Sequence, residues 1–308
     1  MESEIRNLFL SLHLFIWGFY SEFQSKDCYN DLNFSKLDVT ENMAKKMNNL
    51  TGKEWLQESF SIWSDIRKNK EEIALKHPAI FPSQLPKKLI NIYTRRKGSK
   101  ILDPFMGIGS TLLASMETGR NSIGLDLNND FCKLAKERIR NFQGDLFDQK
   151  KIYMPTVIND DSKNILNHVK KESIDLVITS PPYWDILNRK RTADYKEIRN
   201  YSDSDKDLGN INDYEIFLEE LKKVYSSVYE TLKVNKRCIS IVGDIRKKDK
   251  FYPLHEDQTR IMKEIGFELE EYVIWNRAHE YNNMKTLGYP YVFRFNKVHE
   301  FICIYWKR

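Results

Sequence analysis

The sequence predicts an α/β fold with a mostly parallel sheet and a helical N-terminal extension. Three observations support this prediction: short apolar runs rich in β-branched residues alternate with amphipathic stretches, a glycine loop joins two such runs, and prolines end a third. The 308 residues are enough for one large domain with an extension. We place the extension at residues 1–75 and the domain at residues 76–308.

A glycine loop follows the strand predicted at residues 100–103. Residues 104–109 read PFMGIG, a helix is predicted over 110–118, and a second strand over 122–126 ends in Asp126. This order is typical of a nucleotide site, because glycines let the backbone approach the ligand and an acid about 20 residues further on holds a ribose. Leu112 occupies the position of the third glycine of dinucleotide enzymes, which favours a nucleoside ligand over NAD.

Residues 180–184 read SPPYW and follow a buried strand predicted at 174–179. Two adjacent prolines remove two backbone donors and fix two φ angles, so nearby carbonyls stay available as acceptors. Ser180 and such a carbonyl can hold an exocyclic amine while Tyr183 stacks on the planar ring that carries it. A proline-rich turn with an aromatic plug is the structural alternative.

The runs DPFMGIGS at 103–110 and TSPPYW at 179–184 resemble motifs I and IV of the S-adenosylmethionine-dependent DNA amino-methyltransferases. The segment HPAIFP at 77–82 resembles motif X of that family, so the resemblance covers about residues 76 to 308. It implies a Rossmann-like methyltransferase sheet, mostly parallel with an antiparallel C-terminal strand. The serine form of motif IV is similar to the cytosine-N4 branch, since the adenine-N6 branch usually has Asp or Asn there.

The resemblance also implies roles for individual residues. Motif I binds the methionine part of S-adenosylmethionine, the acid after the second strand binds its ribose, and an acid after the third strand binds its adenine. For the adenine we favour Asp161 over Asp160, and a helix cap is the structural alternative for this pair. The predicted cofactor-binding residues are His77, Pro78, Phe81, Asp103, Phe105, Gly107, Gly109, Ser110, Asp126, Asp160 and Asp161. The predicted catalytic residues are Ser180, Pro181, Pro182 and Tyr183.

Basic residues interleaved with aromatic residues follow the catalytic loop and recur later in the chain. We predict DNA-recognition insertions at about 184–212 and 277–297, with a merely solvated loop as the alternative for the first. The predicted nucleic-acid contacts in the first insertion are Trp184, Arg189, Lys190 and Arg191. The net charge of +5 has the sign that a polyanionic partner requires.

Together, these expectations predict a site-specific enzyme that methylates N4 of a cytosine flipped out of duplex DNA. The expected partners are double-stranded DNA and a restriction endonuclease acting on the same site, and the expected location is the cytoplasm of a prokaryotic cell. An adenine-N6 DNA methyltransferase, an RNA guanine-N2 methyltransferase and a non-catalytic nucleic-acid-binding module stay open as alternatives. The four scattered cysteines predict no metal site, and the polar residues within the apolar stretch 5–20 predict no membrane span.

Overall fold

The computed structural model describes residues 46–75, 81–142, 153–186, 206–281, 284 and 286–308. The strands in these ranges are β1 (Ile62–Trp63), β2 (Lys100–Asp103), β3 (Asn121–Asp126), β4 (Thr156–Asn159), β5 (Ile174–Thr179), β6 (Leu232–Val242), β7 (Ile245–Lys247), β8 (Lys250–Tyr252), β9 (Glu268–Asn276) and β10 (His299–Lys307). The α-helices are α1 (Gly52–Glu58), α2 (Lys70–Ala74), α3 (Gln84–Tyr93), α4 (Ser110–Glu117), α5 (Asn129–Asn141), α6 (Tyr214–Thr231) and α7 (Leu254–Ile265).

Eight of these strands form one sheet in the order β1-β9-β10-β6-β5-β2-β3-β4. The neighbours from β6 to β4 pair in parallel, and β10 lies antiparallel between β6 and β9. Strands β7 and β8 form a separate antiparallel hairpin. The predicted α/β fold, a Rossmann-like sheet with an antiparallel C-terminal strand, is therefore confirmed.

Helices cover both faces of the sheet. Successive side chains of a strand point to opposite faces, so Ile101 packs in one buried cluster with Leu89 of α3, whereas Leu102 packs in another with Leu221 of α6. A third cluster joins α4 to α5. Because both faces are covered, β5 is apolar along most of its length, which explains why the sequence shows a run there rather than an alternation.

The amphipathic pattern of α6 is the strongest helical signal in the chain, and the helix forms at the residues that the pattern predicts. Asp213 caps its first turn, since the Asp213 side chain accepts a hydrogen bond from the Ile216 amide at 3.0 Å. The apolar stripe that includes Phe217, Val224 and Val228 is buried against the sheet.

Within the extension, the aromatic and apolar residues of 54–70 recur at helical spacing in the sequence, which predicts a helix there, and this prediction is only partly correct. Helix α1 covers the first part, but Trp63 lies in β1, where it pairs with Trp275 of β9. Trp63 is buried because its ring packs on the sheet with Ile66, not because it belongs to a helix face. The boundary predicted at residue 75 stays a prediction, and residues 1–45 of that extension lie outside the described ranges.

Among the described residues, no helix combines the length and the apolar character needed to cross a membrane.

Candidate active site

The carboxyl ends of the parallel strands β2, β3, β4 and β5 lie at one edge of the sheet, and a predicted site residue stands at each of them. In open α/β sheets this edge is where ligands bind. A hydrogen bond across this edge joins β5 to β2: the Thr179 hydroxyl donates to Asp103 Oδ1 at 2.8 Å. The glycine loop after β2 and the Ser-Pro-Pro-Tyr loop after β5 therefore begin side by side.

The glycine loop is held against β3 by its own backbone. The Met106 amide donates to the Leu125 carbonyl at 2.9 Å, and Gly107 and Gly109 have φ values of +52° and +83°. Such positive φ angles suit glycine. A Cβ on Gly107 would meet no atom of the described residues within 4 Å, so the backbone at Gly107 borders space that a ligand can fill.

Gly124 on β3 is a site-shaping residue that sequence reasoning missed. A Cβ there would lie 2.6 Å from Met106 Sδ and 2.7 Å from Leu112 Cδ1, so any other residue would force Met106 and Leu112 to shift. In dinucleotide enzymes the third loop glycine gives the close helix–strand contact. Here Leu112 stands at that position, and the missing space is provided by Gly124 on the neighbouring strand.

Asp103 is a fully buried carboxylate at the end of β2. Its Oδ1 accepts from Thr179 and, at 3.1 Å, from the Phe105 amide, whereas Oδ2 has no hydrogen-bond partner among the described residues. Burial raises the pKa of Asp103 to about 6, although the neighbouring hydroxyls of Thr111 and Thr179 and the Phe105 amide favour the charged form. A buried carboxylate oxygen without a partner is costly, and a ligand that donates to it removes that cost.

Asp126 stands at the end of β3, beside the glycine loop. Its two oxygens accept from the Gly107 amide at 2.9 Å and from the Asn128 amide at 2.8 Å. Burial raises the pKa of Asp126 to about 7 against these two bonds, and the charge of Asp103 acts in the same direction as burial. The carboxylate thus fixes the glycine loop and remains close to the ligand edge.

Asp160 and Asp161 follow β4, and both take part in local structure. Asp161 caps the 3₁₀ helix Ser162–Asn167 by accepting from the Lys163 amide at 2.9 Å. Asp160 accepts from Asn164 and lies 2.7 Å from the His168 ring, and these hydrogen bonds lower the pKa of Asp160. The capping role left open by the sequence is therefore observed for Asp161, and adenine binding by either acid stays a prediction.

The Ser-Pro-Pro-Tyr loop, whose residues are the predicted catalytic residues, is tied together by a series of hydrogen bonds. Ser180 Oγ lies 3.2 Å from the Tyr183 hydroxyl, which donates to Glu300 Oε2 at 3.1 Å. The Tyr183 ring packs over Gly243, where a Cβ would lie 3.4 Å from it. The carbonyls of Pro181 and Pro182 accept no hydrogen bond from any described residue, as the double proline predicts.

Glu300 was not among the predicted site residues. It lies on β10 and is the last acceptor in the series of hydrogen bonds that starts at Ser180. Its other oxygen pairs with Arg277, whose guanidinium also donates to Glu280 at 2.7 Å. Burial by itself lowers the pKa of Arg277, but the charge of Glu300 and the bond to Glu280 outweigh burial and raise it above the ordinary value. Glu300 is thus a half-buried, charge-paired carboxylate with one oxygen aimed at Tyr183.

Trp184, a predicted nucleic-acid contact, is buried among other side chains. The ring is 3% exposed, packs 5.0 Å from the Tyr214 ring and 4.9 Å from the Tyr252 ring, and has the Lys247 ammonium 3.5 Å from its centroid. Protein groups cover the faces of the ring in this conformation, and the predicted nucleic-acid contact of Trp184 stays a prediction. A tryptophan beside a loop of basic residues gives no sequence signal that separates the two cases.

The remaining predicted residues divide into two groups. Phe81, Phe105 and Ser110 are described: Phe81 and Phe105 pack half-buried against the two sheet clusters, and the buried Ser110 hydroxyl has no hydrogen-bond partner among the described residues. The predicted residues that lie outside the described ranges are His77, Pro78, Arg189, Lys190 and Arg191.

A mostly parallel sheet with one antiparallel strand, a glycine loop after β2 and a Ser-Pro-Pro-Tyr loop after β5 together define a protein of the α/β methyltransferase class. The chain belongs to the family of N6 and N4 amino-methyltransferases described as DNA methylases, whose model matches residues 17–137 and 174–308. This match confirms the predicted family, in which S-adenosylmethionine is the methyl donor, and it spans both the N6 and the N4 branch.

Individual relatives match shorter segments. The orphan methyltransferase M.BamHII of Bacillus amyloliquefaciens is 33% identical over 87 residues, which cover 27% of this chain and 32% of the relative. The type II methyltransferase M.MjaII of Methanocaldococcus jannaschii is 28% identical over 203 residues, which cover 61% of this chain and 36% of the relative. The chain thus spans about a third of the length of these two curated relatives.

Among solved structures, a SAM-dependent methyltransferase from Methanosarcina mazei aligns with a TM-score of 0.44 and 12% identity, covering 69% of this chain and 93% of its own.

Proposed function

We propose that this protein is a site-specific DNA methyltransferase that transfers a methyl group from S-adenosylmethionine to the exocyclic N4 of a cytosine flipped out of duplex DNA. The single observation that supports this best is the hydrogen bond between Thr179 and Asp103. Because it joins the ends of β5 and β2, the loop that suits an amine lies beside the loop that suits the methyl donor.

The residues of the glycine loop fit this cofactor. Asp103 Oδ2 and Ser110 Oγ are buried polar atoms without a partner among the described residues, and the backbone at Gly107 borders open space. We assign Asp103 to the methionine part of the cofactor and Asp126 to its ribose hydroxyls. When bound, S-adenosylmethionine supplies a methyl group on a positively charged sulfur, which needs no metal or covalent intermediate for its transfer. The protein contributes binding and orientation.

The hydrogen-bond chain gives Ser180 a defined role towards the base. A carboxylate and a carbonyl only accept, so Tyr183 shares its single hydrogen between Glu300 and the Ile241 carbonyl, which lies 3.3 Å away, and the Tyr183 oxygen accepts from Ser180. The Ser180 hydrogen is thereby used, and its oxygen is left to accept a hydrogen from the target amine. With a proline carbonyl taking the second amine hydrogen, the nitrogen lone pair turns out of ring conjugation and towards the methyl group.

The target base has to leave the duplex before it can reach this edge of the sheet. Stacking on Tyr183 offsets part of the unstacking cost, at about 1–3 kcal/mol for one base. The predicted DNA-recognition insertions at about 184–212 and 277–297 flank the site in sequence and complete the proposal. In this proposal the protein acts in the cytoplasm of a prokaryotic cell. Its partner there is a restriction endonuclease that recognises the same DNA site.

The test is direct identification of the product. The protein is incubated with S-adenosylmethionine and either duplex DNA or RNA, each nucleic acid is digested to nucleosides, and the nucleosides are identified by mass spectrometry. N4-methylcytosine is the expected product, because Ser180 stands where the adenine enzymes carry Asp or Asn. N6-methyladenine as the main product would overturn the choice of base, and unmethylated DNA with methylated RNA would overturn the choice of substrate.

A further inference from the structure

The hairpin of β7 and β8 (residues 245–252, the basic hairpin) carries exposed cations, two of which lie over rings of the hairpin itself, Arg246 over Phe251 and Lys250 over Tyr252. Arg246, Lys248 and Lys250 are exposed, and none of them forms an ion pair with another described residue. The other two charged residues of the hairpin are paired: Lys247 with Asp185, and Asp249 with Arg294. Three cations on a short hairpin are therefore available to an external anion.

The connection between β9 and β10 carries the most exposed aromatic rings among the described residues. Residues 286–297, the aromatic finger, form a turn closed by a bridge between Leu287 and Arg294. Its four aromatic side chains, Tyr289, Tyr291, Phe293 and Phe295, are between 79% and 91% exposed. A concentration of exposed rings of this kind marks an interaction surface, because leaving them in water is unfavourable.

The hairpin and the finger are held together, and the hairpin is held to the catalytic loop. Arg294 of the finger donates to the Lys248 carbonyl at 3.1 Å and pairs with Asp249. Lys297 lies 3.8 Å from the centroid of the Phe251 ring on the hairpin. On the other side, Lys247 pairs with Asp185 at 2.8 Å, directly after the Ser-Pro-Pro-Tyr loop. The three segments therefore form one continuous surface at the carboxyl edge of the sheet.

We infer that the basic hairpin and the aromatic finger form one DNA-contacting surface, with the hairpin cations on phosphates and the finger rings on bases. The inference rests on the proposed function and assigns the groups that position the duplex beside Ser180. Cations without an ion-pair partner suit a polyanion, whereas an apolar protein partner would need only the rings. Exposed rings suit a base that has left the stack or a base step that a side chain has opened, since a π face is then free for stacking.

The hairpin is tested with a triple variant, Arg246→Gln, Lys248→Gln and Lys250→Gln. Its affinity for a duplex is measured at several salt concentrations. The slope of log affinity against log salt should become shallower by about 0.9 for each phosphate that the protein no longer neutralises, so by about 2 to 3 in all. An unchanged slope overturns the role of the hairpin.

The matched control removes the same charge from the opposite edge of the sheet. Arg95, Arg96 and Lys97 are exposed and precede β2, so they lie at its amino end, away from the site. Their triple glutamine variant should keep the wild-type slope. Both variants should bind S-adenosylmethionine as the wild type does, which shows that they are folded.

The finger is tested with the double variant Phe293→Ala and Phe295→Ala. Duplex affinity should fall about tenfold or more while the salt slope stays the same, because the substitutions remove stacking and leave the charge unchanged. The control is Trp55→Ala with Phe60→Ala, two exposed rings near α1. Equal affinities for the two double variants overturn the role of the finger, whereas a wild type that neither binds nor methylates DNA contradicts the proposed function itself.

Discussion

Asp103→Asn should make the protein more stable at alkaline pH and at the same time unable to bind the cofactor well. The substitution keeps the size of the side chain and the acceptor for Thr179 and Phe105. It removes a charge that is fully buried and has one oxygen without a partner among the described residues. The apo protein gains from that removal, whereas we expect the cofactor to lose the carboxylate that its methionine part uses.

The magnitude follows from the pKa of the carboxyl. Burial raises it from an ordinary value of 3.8 to about 6, so between these values the unfolded chain is ionised and the folded chain is not. Stability is therefore lost as pH rises through this window, and it stays lower above it. The cost amounts to about 1.5 kcal/mol at pH 5 and about 3 kcal/mol at pH 8. Removing Asp103 also relieves Asp126, whose pKa is raised in part by the same charge.

The assay is urea denaturation of wild type and variant at pH 5 and pH 8, followed by calorimetry with S-adenosylmethionine. The free energy of unfolding of Asp103→Asn, relative to wild type, should rise by about 1.5 kcal/mol between the two pH values. Any cost that the new amide itself has for stability is the same at both pH values and cancels when the two are compared. Asp130→Asn, which removes an exposed carboxylate, gives the background. A relative stability that is flat or falls with pH would refute the reasoning.

Three further variants probe the site. Asp126→Ala should weaken cofactor binding in calorimetry by about 1.5–3 kcal/mol, since it removes a charged acceptor, and unchanged binding would remove Asp126 from the site. Ser180→Ala should strongly reduce methyl transfer in single-turnover experiments while cofactor affinity stays near wild type; a wild-type rate contradicts its assignment. In Glu300→Gln the new amide can donate to the Tyr183 oxygen in place of Ser180, while the Ile241 carbonyl keeps the Tyr183 hydrogen, so Ser180 is no longer fixed as an acceptor; the single-turnover rate should fall about tenfold with cofactor affinity unchanged. A Glu300→Gln enzyme at full rate would show that the hydrogen-bond chain has no part in the reaction.

The sequence predicts the site best where chemistry stands at the end of a buried strand. The strands before Asp103, Asp126 and Ser180 each carry an apolar run that stops at a polar or conformationally restricted residue, and parallel strands bring such ends to one edge. At these residues the local sequence pattern alone predicts where the strand ends, and the strand end lies at the site. The residues can therefore be found without knowing how the rest of the chain packs.

Features that depend on distant parts of the chain are not predictable in this way. Glu300 contacts Tyr183 across 117 residues, and no local pattern marks a glutamate at the start of a strand as a partner. Gly124 is needed only because Met106 and Leu112 pack against it. The basic hairpin escapes detection for another reason: five of its eight residues are charged, so it has neither alternation nor an apolar run.

The position of β10 also has a consequence for synthesis of the protein. Strand β10 fills the gap between β6 and β9, although both are made before it, so the sheet cannot be completed in the order in which the ribosome delivers its strands. Until β10 inserts, β6 and β9 each expose an unpaired edge, and such edges invite pairing with other chains. Glu300 arrives on the same strand, so the hydrogen-bond chain of the catalytic loop is assembled in the same step that protects the nascent sheet from aggregation.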